Sequence, residues 1–195
     1  MLLSVSGTSE SAWFAGSHGR NEREAAFLAA LRKEAATWSL PHVEPTETGC
    51  EEYLTPLYVF VEVSPGEKID RDSPAALPWT LALELAFWTD AAYPDLLEGS
   101  WGDANRPFDG GPAGDQREDL RVSGVSISPS LAGQLAASWV RTQLGRSLVR
   151  EDWIRGDEVL ASRWSFSDTG RELTRRGISW RRLRGAPADR QVSLR

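Results

Sequence analysis

Few side chains in this 195-residue chain are of the types from which catalysis is ordinarily built. It has two histidines, His18 and His42, one cysteine, Cys50, and two lysines, Lys33 and Lys68. Gly16–Ser17–His18–Gly19 sets a hydroxyl beside an imidazole. Neighbours in sequence rarely meet as nucleophile and base, and the run is not the glycine–x–serine–x–glycine elbow, so it reads as a loop. His42 lies in a proline-flanked connection and reads as a surface residue. Cys50 has Gly49 on one side and Glu51–Glu52 on the other, and carboxylates disfavour the thiolate that a nucleophile needs. One cysteine also excludes an internal disulfide and a thiolate cluster for zinc or iron–sulfur. The 28 acidic residues offer many carboxylate pairs and single out none for acid–base work. Lys68 follows a turn instead of accompanying two acids on neighbouring strands, as a nuclease centre would require. Phosphate-cradling glycine motifs are absent. Asp103, Asn105 and Asp109–Gly110 match part of a calcium loop, but the alternation of oxygen ligands breaks at Pro107 and no glutamate closes the loop. Neither cofactor nor metal is expected.

Charge is the more informative signal. Residues 1–120 hold 21 acids and 8 bases, a net of −13, whereas residues 121–195 hold 7 acids and 14 arginines, a net of +7. Such asymmetry points to an interaction surface or to two mutually attracting parts of one molecule. The acidic half includes residues 90–119, rich in glycine and proline, with Asp90, Asp95, Glu98, Asp103, Asp109, Asp115, Glu118 and Asp119. Irregular stretches of that length inside a domain are uncommon unless they serve a partner or a function. The basic half is concentrated in Arg171, Arg175, Arg176, Arg181, Arg182 and Arg184, with Trp180 among them. Arginines interleaved with an aromatic suit single-stranded nucleic acid, where guanidinium groups track phosphates and a ring stacks on a base. The competing reading is a set of internal ion pairs to the acidic half.

Around these residues the chain reads as ordinary globular protein, 41% hydrophobic and 26% charged. Leu57–Val63, bounded by Pro56 and Ser64–Pro65–Gly66, has the composition of a central strand buried on both faces. Asn21, with Glu24 three residues on, starts a helix whose Leu28, Leu31, Ala35 and Trp38 form one face, leaving Arg23, Arg32, Lys33 and Glu34 to water. A short helical turn fits Glu51–Leu54. In Trp79–Thr89, Leu81, Leu83, Leu85 and Phe87 alternate with smaller or polar residues, which predicts a strand. Leu120–Ile127 reads as another. Ser128–Pro129 opens a second helix with the stripe Leu131, Leu135, Trp139 and Thr142, and Gly145 stops it. Ser147–Ile154 and Val159–Phe166 form a hairpin. A short helix is expected from Ser167 or Asp168 to Arg176, then a last strand over Ile178–Leu183.

The expected architecture is a single α+β domain over residues 1–184, with a mainly antiparallel sheet and two main helices on one face. Residues 90–119 form a long acidic insertion, and residues 185–195 a C-terminal tail. No apolar run reaches the roughly 18–20 residues of a membrane span. Met1–Gly7 lacks the features of a signal peptide, so a cytoplasmic protein is expected, and the excess of arginine over lysine, 20 to 2, with abundant alanine and glycine, suggests a GC-rich bacterial genome.

The leading functional expectation is a non-catalytic protein whose acidic N-terminal portion engages another, basic protein. Either a neutralising immunity-type partner or an assembly component fits, using Asp95, Glu98, Trp101, Asp103, Asp109 and Asp115. The first alternative is a nucleic-acid-associated protein using Arg175, Arg176, Trp180, Arg181, Arg182 and Arg184. The second is an enzyme with an acidic pair in the 90–119 loop.

Overall fold

The structure, a computed structural model, describes residues 12–40, 43–52, 56–63, 81–89, 96–103, 120–122, 127–177 and 179–193. In chain order these form strand β1 (Ala15–Gly16), helix α1 (Glu22–Ala35), a 3-10 turn (Pro45–Glu47), β2 (Thr48–Glu51), β3 (Leu57–Val63), β4 (Leu81–Trp88), β5 (Leu96–Asp103) and β6 (Leu120–Val122). Helix α2 (Pro129–Leu144), β7 (Leu148–Arg155), β8 (Glu158–Phe166), β9 (Glu172–Gly177), the short helix α3 (Trp180–Leu183) and β10 (Arg190–Ser193) follow. The fold is α+β. One sheet has the order β1-β2-β3-β4-β5-β6, the other β10-β7-β8-β9. Only the β1–β2 pairing is parallel. No helix among the described residues is long and apolar enough to cross a membrane.

Strands β3 and β4 lie at the middle of the larger sheet. Leu57, Val59, Val61 and Val63 of β3 and Leu81, Leu83, Leu85 and Phe87 of β4 point to one face and enter the core. Helices α1 and α2 close that face. Phe27 of α1 stacks on Phe87 with centroids 4.5 Å apart. Gly133 lets α2 approach α1, since a Cβ there would lie 2.9 Å from Ala30 Cβ and 3.0 Å from the Leu31 nitrogen. The second sheet adds Leu148, Trp164 and Phe166 to the same core. Each fully buried leucine or phenylalanine contributes about 1.5–3 kcal/mol.

Local signals hold where they were strongest. Asn21 Oδ1 accepts from the Arg23 and Glu24 N–H groups, and Ser128 caps α2 with Pro129 at its first position. Residues 81–88 are a strand. Several expectations are corrected. Strand β3 is buried on one face, with Tyr58, Phe60 and Glu62 half-exposed on the other, following the alternation of side chains along the strand. Residues 96–103, inside the stretch read as irregular, form a full strand, since Leu97 and Trp101 reach the core across Gly99. Glu51 belongs to β2, not to a helical turn. Glu24 reaches one residue further back than a capping box, accepting from the Arg20 N–H at 2.8 Å.

Arg32 turns inward instead of facing water, donating to the Phe14 carbonyl at 2.7 Å and the Ser17 carbonyl at 2.6 Å. Phe14 has the left-handed φ of 54°, which costs a non-glycine residue about 1–3 kcal/mol. Its buried ring, the Thr48 hydroxyl on its N–H (2.7 Å) and Arg32 on its carbonyl hold it there. The buried face of α2 is Ala132, Gly133, Ala136, Val140, Gln143 and Leu144, while Leu131 and Leu135 are exposed. Small residues line the crossing with α1, so the leucine stripe lies one position off. Residues 172–177 form β9, not a helix, and residues 180–183 a helix, not a strand: pairing to β8 overrides the local cap at Ser167 or Asp168. Residues 190–193 are no free tail. They pair with β7 as β10.

Candidate interaction surfaces

The period-two alternation of β2 to β5 builds the outer face of the larger sheet, the one turned away from α1 and α2. Register places Glu51, Tyr58, Ala86, Glu98 and Arg121 in one row across β2 to β6. The next row is Gly49, Phe60, Glu84 and Ser100. Glu62 follows on β3. Phe60 lies over Gly49, where a Cβ would come within 2.5 Å of its ring, and stacks beside Tyr58 at 5.6 Å. Four carboxylates on four adjacent strands thus surround two aromatic rings. Glu51, Tyr58, Phe60, Glu62 and Glu98 are all half-buried.

Glu84 differs from its neighbours. It is only 1% exposed, and the Tyr58 hydroxyl donates to its Oε1 at 2.8 Å. Burial, then the negative charges of Glu84, Glu51 and Glu62, push the Tyr58 phenol far above its ordinary range, so it stays a proton donor to Glu84. Glu98 sits 3.6 Å from the exposed Arg121 guanidinium. Such a face can attract and hold cationic groups. For acid–base chemistry it offers a carboxylate already engaged by a phenol, not a poised pair.

The second surface is α3. Trp180 is 73% and Leu183 61% exposed, the Arg181 side chain is 55% exposed, and Arg182 points back to the body. The Arg182 guanidinium lies 5.8 Å from the Trp153 ring, with Nη1 buried and without a hydrogen-bond partner. Arg181 pairs with Asp189 at 2.5 Å. Asp189 in turn accepts the Ile154 N–H at 2.8 Å, and that bond first, then Arg181, holds its carboxyl below the usual range. Trp153 Nε1 donates to the Ala186 carbonyl at 3.1 Å.

A buried ion cluster anchors this segment to the second sheet. Asp152, fully buried, accepts from Ser162 Oγ (2.7 Å), Arg150 Nε (3.2 Å) and Arg190 Nε (2.9 Å). Its carbonyl accepts the Asp189 N–H at 2.8 Å.

With that geometry described, comparison with known proteins adds nothing to it. No family model matches the chain, and no curated protein or solved structure matches it either.

Of the residues expected to meet a partner protein, Asp95, Asp109 and Asp115 lie outside the described residues. Glu98 is on the acidic outer face. Asp103 ends β5 in register with Leu81. Trp101 is corrected: it is a core residue, its indole N–H donating to Gln143 at 3.1 Å and its ring meeting Phe166 edge-on at 5.9 Å. A tryptophan so held is no interface anchor. Of the arginine group, Arg175 is exposed and 3.5 Å from Glu172, Arg176 lies on β9 opposite Ser162, and Arg184 is exposed past α3. Arg181, Arg182 and Trp180 belong to α3.

Among the described residues the candidate catalytic side chains are not brought together. Ser17 Oγ accepts the Gly19 N–H at 2.8 Å within its own loop. Burial raises the Cys50 thiol above its ordinary range, although the Arg32 charge opposes this. His42 lies outside the described residues. Among the described residues no three His, Cys, Asp or Glu side chains converge as a metal site. Sequence reading missed Glu51, Tyr58, Phe60, Glu62 and Glu84 as a group. For Tyr58, Phe60, Glu62 and Glu84 the signal was the even-numbered half of the alternation in 57–63 and 81–88; Glu51 joins them only through the pairing of β2 with β3.

Proposed function

We propose that this is a non-catalytic protein-binding protein whose acidic portion engages a basic partner through the outer face of the six-stranded sheet. The supporting observation is the placement of Glu51, Glu62 and Glu98 around the half-buried Tyr58–Phe60 pair. Aromatic rings supply contact area that leaves water on binding, and surrounding carboxylates steer a cationic partner and set its register. The net charge of −13 over residues 1–120 adds long-range attraction of the same sign. A neutralising partner of a basic protein or a component of an assembly would use such a face alike.

The nucleic-acid reading draws on the exposure of Trp180, Arg175 and Arg184. It is weakened by arginines already engaged, Arg181 by Asp189 and Arg182 by Trp153. The enzyme reading gains no carboxylate pair from the described part of residues 90–119.

The test is affinity capture from the native host with the wild-type chain and with a Glu51→Gln/Glu62→Gln/Glu98→Gln variant of unchanged melting temperature. A basic protein held by the wild type, released by salt and lost from the variant is the expected result. Equal capture by both baits refutes the proposal.

A further inference from the structure

An apolar pair turned to water beside an arginine, Arg182, that turns inward departs from the usual pattern of a surface helix. Trp180 and Leu183 stand at i and i+3 on one side of α3 and are the two most exposed of the large hydrophobic residues that reach the surface. They are held there by an organised scaffold. Arg182 stacks on Trp153, Arg181 is tied to Asp189, the Ala186 carbonyl is tied to Trp153, and the buried Asp152 cluster fixes the strand that follows. A local rule broken with this much support marks a contact surface more readily than a packing fault. Exposed Arg175 and Arg184 accompany the pair, so its partner is a surface with an apolar floor and a negative rim.

The chain itself carries a surface of that description. Tyr58 and Phe60 form a stacked, half-buried aromatic floor, and Glu51, Glu62 and Glu98 surround it. The two surfaces do not meet within one molecule, since Trp180 and Leu183 stand exposed. Segment 180–186 lies over Trp153 on the side of the second sheet turned away from the shared core, and Tyr58 and Phe60 project from the first sheet, likewise away from that core. We infer that the occupant of the acidic face is α3 of a second copy of this chain, giving a head-to-tail contact in which Trp180 and Leu183 cover the Tyr58–Phe60 pair and Arg175 and Arg184 meet its glutamates. The inference rests on the binding role assigned above to the acidic face and names its partner. The chain's charge division, −13 against +7, follows naturally from a molecule that presents opposite poles to its own copies. Because knob and face are different patches, the contact is heterologous and propagates into rings or open chains unless capped.

The experiment uses the full chain in sedimentation equilibrium over a wide concentration range at low and raised salt. Two surface variants accompany it, Trp180→Ala, which lacks the knob, and Glu51→Lys/Glu62→Lys, which lacks the face, each checked by thermal melting. Wild type is expected to gain mass with concentration and lose it with salt, and each variant alone to associate more than tenfold more weakly. An equimolar mixture of the two variants should form a one-to-one complex and stop there, because one retains the only working knob and the other the only working face. A monomeric wild type, a Trp180→Ala protein that associates as wild type does, or a mixture that stays monomeric each overturns the inference. So does a monomeric wild type whose retention on heparin or on anionic vesicles depends on Trp180, which would give the knob to a polyanion or a membrane. Failure here with partner capture still lost from the glutamine variant sinks only the self-contact. Failure of both sinks the binding role of the face as well.

Discussion

Replacing Asp152 by alanine should be among the most damaging single changes on the second sheet. The carboxylate has no exposure to solvent, and its oxygens take donors from Ser162, Arg150 and Arg190. Removing it leaves Arg150, only 10% exposed along its side chain, as a buried cation without its carboxylate. Breaking one partner out of a buried pair costs about 3–5 kcal/mol, chiefly through the charge left behind. Arg190 is 38% exposed, so water can take over its solvation and its share of the loss is small. About 4 kcal/mol is therefore expected, equivalent to a fall in melting temperature on the order of 10 °C for a chain of this size.

Urea titration measures the effect directly, as a lower midpoint at unchanged slope. Two companions separate the causes. Arg190→Gln should cost about 1 kcal/mol or less, as a partly solvated pair does. Arg150→Met combined with Asp152→Leu should recover part of the loss, because an apolar pair needs no charge compensation. Hydrogen exchange should show the amides of residues 189–193 losing protection before those of β3 and β4, since the Asp152 carboxylate holds the Arg190 side chain at the start of β10. If Asp152→Ala costs less than about 1 kcal/mol, or no more than Arg190→Gln, the cluster does not hold the C-terminal segment as argued.

Gly133→Ala sets helix propensity against packing: propensity alone favours alanine by about 1 kcal/mol, but a methyl group there meets the Phe27 carbonyl and Ala30. Net destabilisation of about 2–3 kcal/mol is expected by denaturation, and a stabilised variant would refute the close helix crossing. At Glu24, burial favours the neutral acid, but the side-chain and backbone hydrogen bonds and the charge of Arg20 outweigh it and lower the carboxyl below its ordinary range. Its stabilisation is complete above the unfolded carboxylate pKa and lost as pH falls through the lower folded value. Glu24→Gln should therefore weaken the protein at neutral pH by about 1–3 kcal/mol and flatten the acid limb of its stability profile, and a limb as steep as that of the wild type would contradict this.

What the sequence determined by itself is what chain-local physics can specify. Asn21 and Ser128–Pro129 announce their helices because a cap satisfies N–H groups two or three residues away. The alternation in Leu81–Phe87 announces a strand because side chains flip with every residue, wherever the strand is placed. The split of charge between the halves was also legible. Tertiary structure alone decided which side of each element is buried. Arg32 faces inward because a strained loop offers it the Phe14 and Ser17 carbonyls. Leu131 yields the crossing to Gly133 because two helix backbones come close there. Trp101 is core because Gln143 and Phe166, 42 and 65 residues further along the chain, receive it. Residues 172–177 are strand and 180–183 helix because pairing with β8 and seating on Trp153 outweigh weak local preferences. Such contacts are made between residues distant in sequence, and no window of neighbouring residues carries their energy.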